Sequence, residues 1–319
     1  MITDISFESS LATQMINFIS FKRMQGYEYS NGMLVLKRFD LFLSENGCND
    51  SVLHVEDMKR YCAETAGLKS RTRSNYYGVI RQFSIYLHTI APQNAVLPER
   101  ILPQQPQSIR FYHLNMAQIG ELMTAAGELP SKNGIRSYCI RFLIGLLYST
   151  GLRIGEALAL DLRDVDTSNS TLFVRHGKFR KERIVPMSPS TLNAMEEWIE
   201  RRRHYAGNES SALLIAKRNK RLSYYQMKYA FRIICNRCGL NGDPPLRLHD
   251  FRHNYACRCI AVWRETHQDV NALLPVLANA MGHVNFFATQ LYLHIDAGAL
   301  QKASRKFNTH IKNTLENSK

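Results

Sequence analysis

In the stretch "MGHVNFFATQLYLHI", Tyr292 lies nine positions after His283, and such a pair could be a nucleophile with a group that stabilises its transition state. A phenol ionises near pH ~10, so a tyrosine can attack only where neighbours hold a phosphate and manage the protons. The chain carries such neighbours upstream. In "TGLRIGEALAL", Gly151 ends one helix, and Arg153 and Glu156, three apart, share a face at the start of the next. The arginine fork could grip a phosphate while the carboxylate holds the guanidinium in one orientation, although a surface ion pair would look the same. In "RLHDFRHNYA", His249 and Arg252 are again three apart, with Phe251 turned toward the core, whereas His253 falls elsewhere on the helical wheel. A basic helix with a half-buried histidine is the competing reading. Between these motifs, Lys178, Arg180, Lys181 and Arg183 crowd into six residues, where a flexible turn could bring a lysine to a leaving oxygen. Most such charges are solvated or touch phosphates nonspecifically.

Elements must hold these groups. Residues 171–187, "TLFVRHGKFRKERIVPM", are two β-prone runs flanking the basic turn and predict a hairpin. Around it, "NMAQIGELMTAAG", the very apolar "RSYCIRFLIGLLYSTG", and residues 190–205, 223–238, 249–262 and a segment ending at Tyr292 read as helices. Leu300, Ala303, Phe307, Ile311 and Leu315 predict a final amphipathic helix. The first ~90 residues also read as helical. Leu36, Phe39 and Leu43 define one helix stopped at Gly47. Tyr76, Val79, Phe83, Tyr86 and Leu87 define another, capped by Ser70 or Thr72 and presenting Arg71, Arg73 and Arg81 either to phosphates or to water. Pro92, Pro98, Pro103 and Pro106 break the pattern, so residues 1–92, a linker over 93–113 and residues 114–319 are the expected divisions.

The net charge of +14 points to a polyanionic partner. Residues 1–112 hold 12 Lys+Arg against 10 Asp+Glu, which leaves 29 against 17 for the rest, so the C-terminal two-thirds carries the excess. No run of about 18 apolar residues occurs and "MITDISFESS" lacks a basic leader, so a cytoplasmic, nucleoid-associated protein without membrane contact is expected. Seven cysteines read as reduced thiols, and a zinc site from Cys235, Cys238, Cys257 and Cys259 is a weaker alternative to buried packing.

Taken in order, Arg153, Lys178, His249-x-x-Arg252, His283 and Tyr292 resemble the tyrosine recombinase (phage integrase) family, strongly over residues 115–297 and more weakly over residues 1–92. The resemblance implies a mainly α fold with a small β-hairpin or sheet: an N-terminal helical, SAM-like core-binding domain and a C-terminal tyrosine-recombinase catalytic domain with an exchange helix. It implies that Tyr292 attacks a DNA phosphodiester to give a 3′-phosphotyrosine, that Arg153 and Arg252 neutralise the phosphorane, and that His283 donates to a nonbridging oxygen. Lys178 would be the general acid and His249 would assist the tyrosine proton, with Glu156 supporting Arg153. Two arginines beside the phenol should favour its ionisation.

Fixed cations would do the work of a metal ion, so no metal or other cofactor is expected. Further implied are a duplex DNA site, a homotetramer on two sites joined by helix exchange, and a Holliday junction, with room for accessory DNA-bending proteins. Three departures stand out: Phe179 after the lysine, which makes Lys181 a rival acid; an insert-like "VWRETHQDVNALLP"; and a divergent N-terminal domain. The leading reading is the integrase of a mobile element. Its alternatives are a Xer-like dimer resolvase, a non-catalytic DNA-binding protein retaining the fold, and a topoisomerase without site preference.

Overall fold

The computed structural model describes residues 6–47, 50–99, 112–131, 134–175, 182–206, 210–282, 289–290 and 292–293. The chain divides into two compact units, residues 1–108 and 109–319.

The first unit packs α1 (Ala12–Met24), α2 (Ser30–Glu45), α3 (Val55–Glu64) and α4 (Ser70–Ile90) around Phe18, Leu36, Phe39, Ile80 and Phe83. Apolar residues three and four apart give α2 and α4 a core-facing stripe, and Gly47, at φ +66°, follows α2 in the left-handed region. Neither Ser70 nor Thr72 caps α4. Lys69 occupies the cap position with no side-chain bond, and Ser70 is already helical. Buried Asp40 anchors the entering chain, accepting from the backbone N–H groups of Glu8 (2.8 Å) and Ser9 (2.9 Å). The expected linker begins later than the prolines imply. Leu97 is buried, Asn94 accepts from the Leu53 N–H, and the Pro98 carbonyl accepts from Tyr77 and Arg81, so residues 94–98 pack on this unit. Residues 100–111 lie outside the described set.

The second unit is built on α6 (Ile135–Thr150), whose Ile140, Leu143, Ile144 and Leu147 are wholly buried. It packs against α5 (Met116–Gly127) and α8 (Pro189–Ala206), with α9 (Tyr224–Arg237) alongside α5. Asn115 and Ser223 each accept from the backbone three residues on and so cap α5 and α9. The hairpin is the larger part of a three-stranded antiparallel sheet. β1 (Val165–Asp166) pairs with β2 (Thr171–Val174), which pairs with β3 (Arg183–Pro186), Val174 facing Arg183.

Two helices carry the later motifs: α10 (Asp250–Glu265) and α11 (Val270–Met281). The stretch with an insert-like sequence is regular helix and cap. Its first residues finish α10, Asp269 caps α11 through the N–H groups of Asn271 and Ala272, and Leu274 is buried. Together α10 and α11 enclose a small separate core of Ala256, Cys257, Ile260, Leu274, Leu277 and Met281, into which Tyr292 also packs. Cys235 lies in the larger core and Cys257 in this one, which separates the two cysteine pairs considered for zinc. Among the described residues, no helix is long and apolar enough to cross a membrane.

Candidate active site

Gly151, at φ +64°, ends α6 in the left-handed conformation and turns the chain so that Arg153 precedes the short α7 (Ile154–Ala159). Glu156 then folds back on the turn. Its Oε2 accepts the Arg153 N–H at 2.9 Å and its Oε1 accepts Arg153 Nη1 at 2.7 Å. The carboxylate is also gripped from the sheet: Arg183 Nη1 and Nη2 donate to Oε1 and Oε2 at 3.0 and 2.7 Å. Burial alone would raise the Glu156 pKa, but the bonds from Arg183 and Arg153 outweigh it and hold the group at about 2. Glu156 therefore stays ionised and fixes two guanidiniums.

By its place in the basic turn Arg183 belongs with the expected DNA contacts, and the structure corrects this. Along β3 the burial alternates, with Arg183 and Val185 inside and Ile184 61% exposed, so the strand register turns the arginine inward. Its Nε donates to the Ala280 carbonyl at 2.8 Å.

Two more arginines meet the same helix end. Arg252, 1% exposed, donates from Nη1 to the Gly151 carbonyl at 2.8 Å and from Nη2 to the Met281 carbonyl, and Arg153 Nη2 donates to the Gly282 carbonyl at 2.9 Å. Thus the last carbonyls of α11, otherwise orphaned, are each taken by a different arginine. Gly282 is at φ +64°, and a Cβ there would lie 2.9 Å from Arg183 Nη1. Burial pushes the Arg252 guanidinium down to about 9, still charged at neutral pH. Three arginines against one carboxylate leave this cluster positive, as an anion-binding centre requires.

Tyr292 is 4% exposed. The two arginines act on its ionisation in the expected direction, but they are not the largest influence on it. Burial dominates and pushes its pKa up to about 12, while Arg252 and Arg153 pull it down. The residue beside its hydroxyl is one that the helical wheel sets aside: His253 Nδ1 lies 2.9 Å from Tyr292 Oη. A single-helix projection cannot see this, because the partner comes from a different segment. His249 keeps an exposed edge, while surrounding protein and the Arg252 charge lower its pKa. Its ring stands edge-on to His253 at 4.7 Å between centroids.

Of the remaining expected residues, Lys178, Arg180, Lys181 and His283 lie outside the described set, as does the tail from residue 294. In the first unit Arg71 is exposed on α4. Arg73 donates to the Cys62 carbonyl at 3.0 Å and Arg81 to that of Pro98 at 3.1 Å, so these two also brace their own domain. The sequence motifs do not include the outer face of α9, where Tyr225 (83% exposed), Lys228, Tyr229 and Arg232 line up at three and four spacing. They border a cleft of about 660 Å³ that runs to Arg247 and His249. Aromatic residues interleaved with cations beside the histidine motif were the available signal.

Residues 113–298 match the phage integrase family. The chain belongs to that family. A protein of Sinorhizobium fredii named integrase/recombinase y4rE is 30% identical over 302 residues, covering 94% of this chain and 97% of the relative. Tyrosine recombinase XerC of Actinobacillus succinogenes is 27% identical over 280 residues, covering 86% and 88%. In fold the chain is similar to XerH site-specific recombinase bound to difH substrate (TM-score 0.67, 20% identity, 87% and 79% covered) and to the Tn1549 transposon integrase in complex with transposon right end DNA (TM-score 0.64, 16%, 93% and 99%). As a member of that family the chain is a tyrosine-type site-specific DNA recombinase, an enzyme that cleaves and rejoins DNA strands, with a mainly helical fold and a small sheet.

Proposed function

We propose that Tyr292 is the nucleophile and that it attacks a phosphodiester of duplex DNA to form a 3′-phosphotyrosine, releasing a 5′-hydroxyl. The observation that carries this reading is the joint placement of Arg153 and Arg252 at the end of α11, within electrostatic reach of a buried tyrosine hydroxyl. A phosphate seated there would meet two guanidiniums held rigid by Glu156 and by backbone carbonyls. Their charge would be worth most as the phosphorane gains negative charge. His283 is proposed to donate to a nonbridging oxygen, and Lys178 or Lys181 to protonate the leaving 5′-oxygen. Because the phosphotyrosine keeps the energy of the broken bond, rejoining needs no nucleotide cofactor.

The charge of residues 113–319, net +12, and the Tyr225/Lys228/Tyr229/Arg232 face of α9 support a duplex running over the cleft beside His249, with Arg71 of the first unit as a further contact. Four protomers on two sites, exchanging C-terminal helices and passing through a Holliday junction, complete the proposed cycle. The likeness to y4rE along 97% of its length favours integration and excision of a mobile element over dimer resolution, the second reading that the XerC likeness supports. The decisive test incubates the protein with a nicked candidate site and looks for DNA that resists removal by SDS. Tyr292→Phe should bind DNA and form no adduct; an undiminished adduct overturns the assignment.

A further inference from the structure

In this recombinase the Tyr292 hydroxyl lies within hydrogen-bond distance of His253, at 2.9 Å from Nδ1. The neighbouring histidine of the motif, His249, touches the imidazole of His253, edge to face, and sits at the cleft. We propose that His253 is the base that takes the phenolic proton of Tyr292 during strand cleavage and returns it during rejoining. The inference rests on Tyr292 being the nucleophile.

Three features make His253 fit for the task. It is held in place: Asn254, the next residue, ties α10 to the Leu114 N–H (2.8 Å) and the Tyr112 carbonyl (2.8 Å), and Asp250 is bonded to Arg247 at 2.7 Å. It is half-buried, between the His249 ring and the Tyr292 ring, whose centroid lies 5.6 Å away. It is also neutral: burial and the charge of His249 push its pKa down to about 4, with Arg247 and Arg252 acting in the same direction and Asp250 opposing them. A neutral ring with its proton on Nε2 presents a lone pair at Nδ1, and the phenol donates to it. A charged ring would instead donate to the phenol oxygen and blunt the nucleophile.

The proton moves during attack, not before it, because a phenol near 12 does not transfer fully to an imidazole near 4. As the Tyr292 oxygen lone pair forms the bond to phosphorus, the O–H bond breaks and its proton passes to Nδ1. The P–O5′ bond breaks with its electron pair on the 5′-oxygen, which is protonated by the acid on the opposite side of the phosphorus. In rejoining, the 5′-hydroxyl attacks and its proton passes back to the deprotonated acid on that side, the P–O bond to Tyr292 breaks, and the imidazolium returns its proton to the phenolate. Charge is conserved at each step. The incoming phosphodiester anion favours the imidazolium, so seating DNA makes His253 a stronger base.

The experiment uses the full chain and duplexes selected from a random-sequence library by binding to the Tyr292→Phe protein. These are remade with sulfur in place of the bridging 5′-oxygen, so that departure needs no acid and the nucleophile's proton alone is probed. Adduct formation is followed in single turnovers between about pH 6 and 10 for the wild type, His253→Ala and His253→Asn. His253→Ala should slow adduct formation by about 10²-fold or more near neutrality. The deficit should shrink by roughly tenfold for each pH step of one as hydroxide takes over, and added imidazole should recover part of the rate. His253→Asn keeps a hydrogen-bond acceptor near the phenol but takes up no proton, so it should stay slow with DNA binding intact. It serves as the test should the alanine protein fail to fold. A rate within about threefold of wild type in either variant overturns the role, as does a deficit that is constant with pH. An adduct that persists in Tyr292→Phe instead overturns the nucleophile itself, an outcome distinct from a failure confined to His253.

Discussion

Glu156 sits between two guanidiniums with its side chain 4% exposed, and its charge is what keeps Arg153 and Arg183 from being uncompensated cations. Its folded pKa, about 2, is below its ordinary 4.5. The stabilisation is therefore fully present above about pH 4.5 and is lost as pH falls through 2, a difference of about 3 kcal/mol. In urea unfolding, Glu156→Gln should lower stability by about that amount at pH 7, and the gap to wild type should close between about pH 4.5 and 2. A gap that does not change with pH would show that the carboxylate charge is not what holds the cluster. At the same scale Arg183 shows how a basic residue in a basic turn is misassigned. Its neighbours in sequence are cations, but its neighbours in space are a carboxylate and a helix end.

The element that organises the site is α11, although it supplies no reacting side chain among the described residues. Its C-terminal carbonyls at Ala280, Met281 and Gly282 are shared among arginines from β3, α10 and the turn before α7, so three distant motifs are registered against one helix end. Gly282 makes this possible by adopting φ +64° and by lacking a Cβ, which would press on Arg183 Nη1 at 2.9 Å. Gly282→Ala should cost at least about 1 kcal/mol of stability, the penalty of the left-handed conformation alone. It should also depress single-turnover cleavage while leaving DNA binding close to wild type, since the arginine cluster shifts. Unchanged cleavage rates would show that the α11 terminus does not set the geometry of the site.

At the scale of the whole molecule, separate hydrophobic cores in the two units and an uneven charge decide behaviour, with net +2 on residues 1–112 and +12 on the remainder. Binding of duplex DNA by this recombinase should weaken linearly on a log–log plot against salt, with a slope of about −0.9 per phosphate neutralised. With six such contacts the affinity should fall on the order of 10³-fold between roughly 50 and 200 mM salt in a fluorescence anisotropy titration. A salt-independent affinity would remove the electrostatic argument for the second unit as the main DNA-binding surface.

Local order was legible in the sequence because local rules fix it. Apolar spacing gave α2, α4, α5 and α6, β-branched and aromatic runs on either side of a basic turn gave β2 and β3, and Gly151 marked the end of α6. The motif order gave the family, and spacing of three put Arg153 with Glu156 on one turn, as the structure has it. What depended on through-space neighbours was not legible: the inward face of Arg183 and the contact between His253 and Tyr292. The sequence by itself determined which residue types were present, in what order, and with what excess of positive charge. Only the tertiary structure decided that burial outweighs the arginines at the Tyr292 phenol, because desolvation depends on everything packed around a group and not on the neighbours a one-dimensional spacing can count.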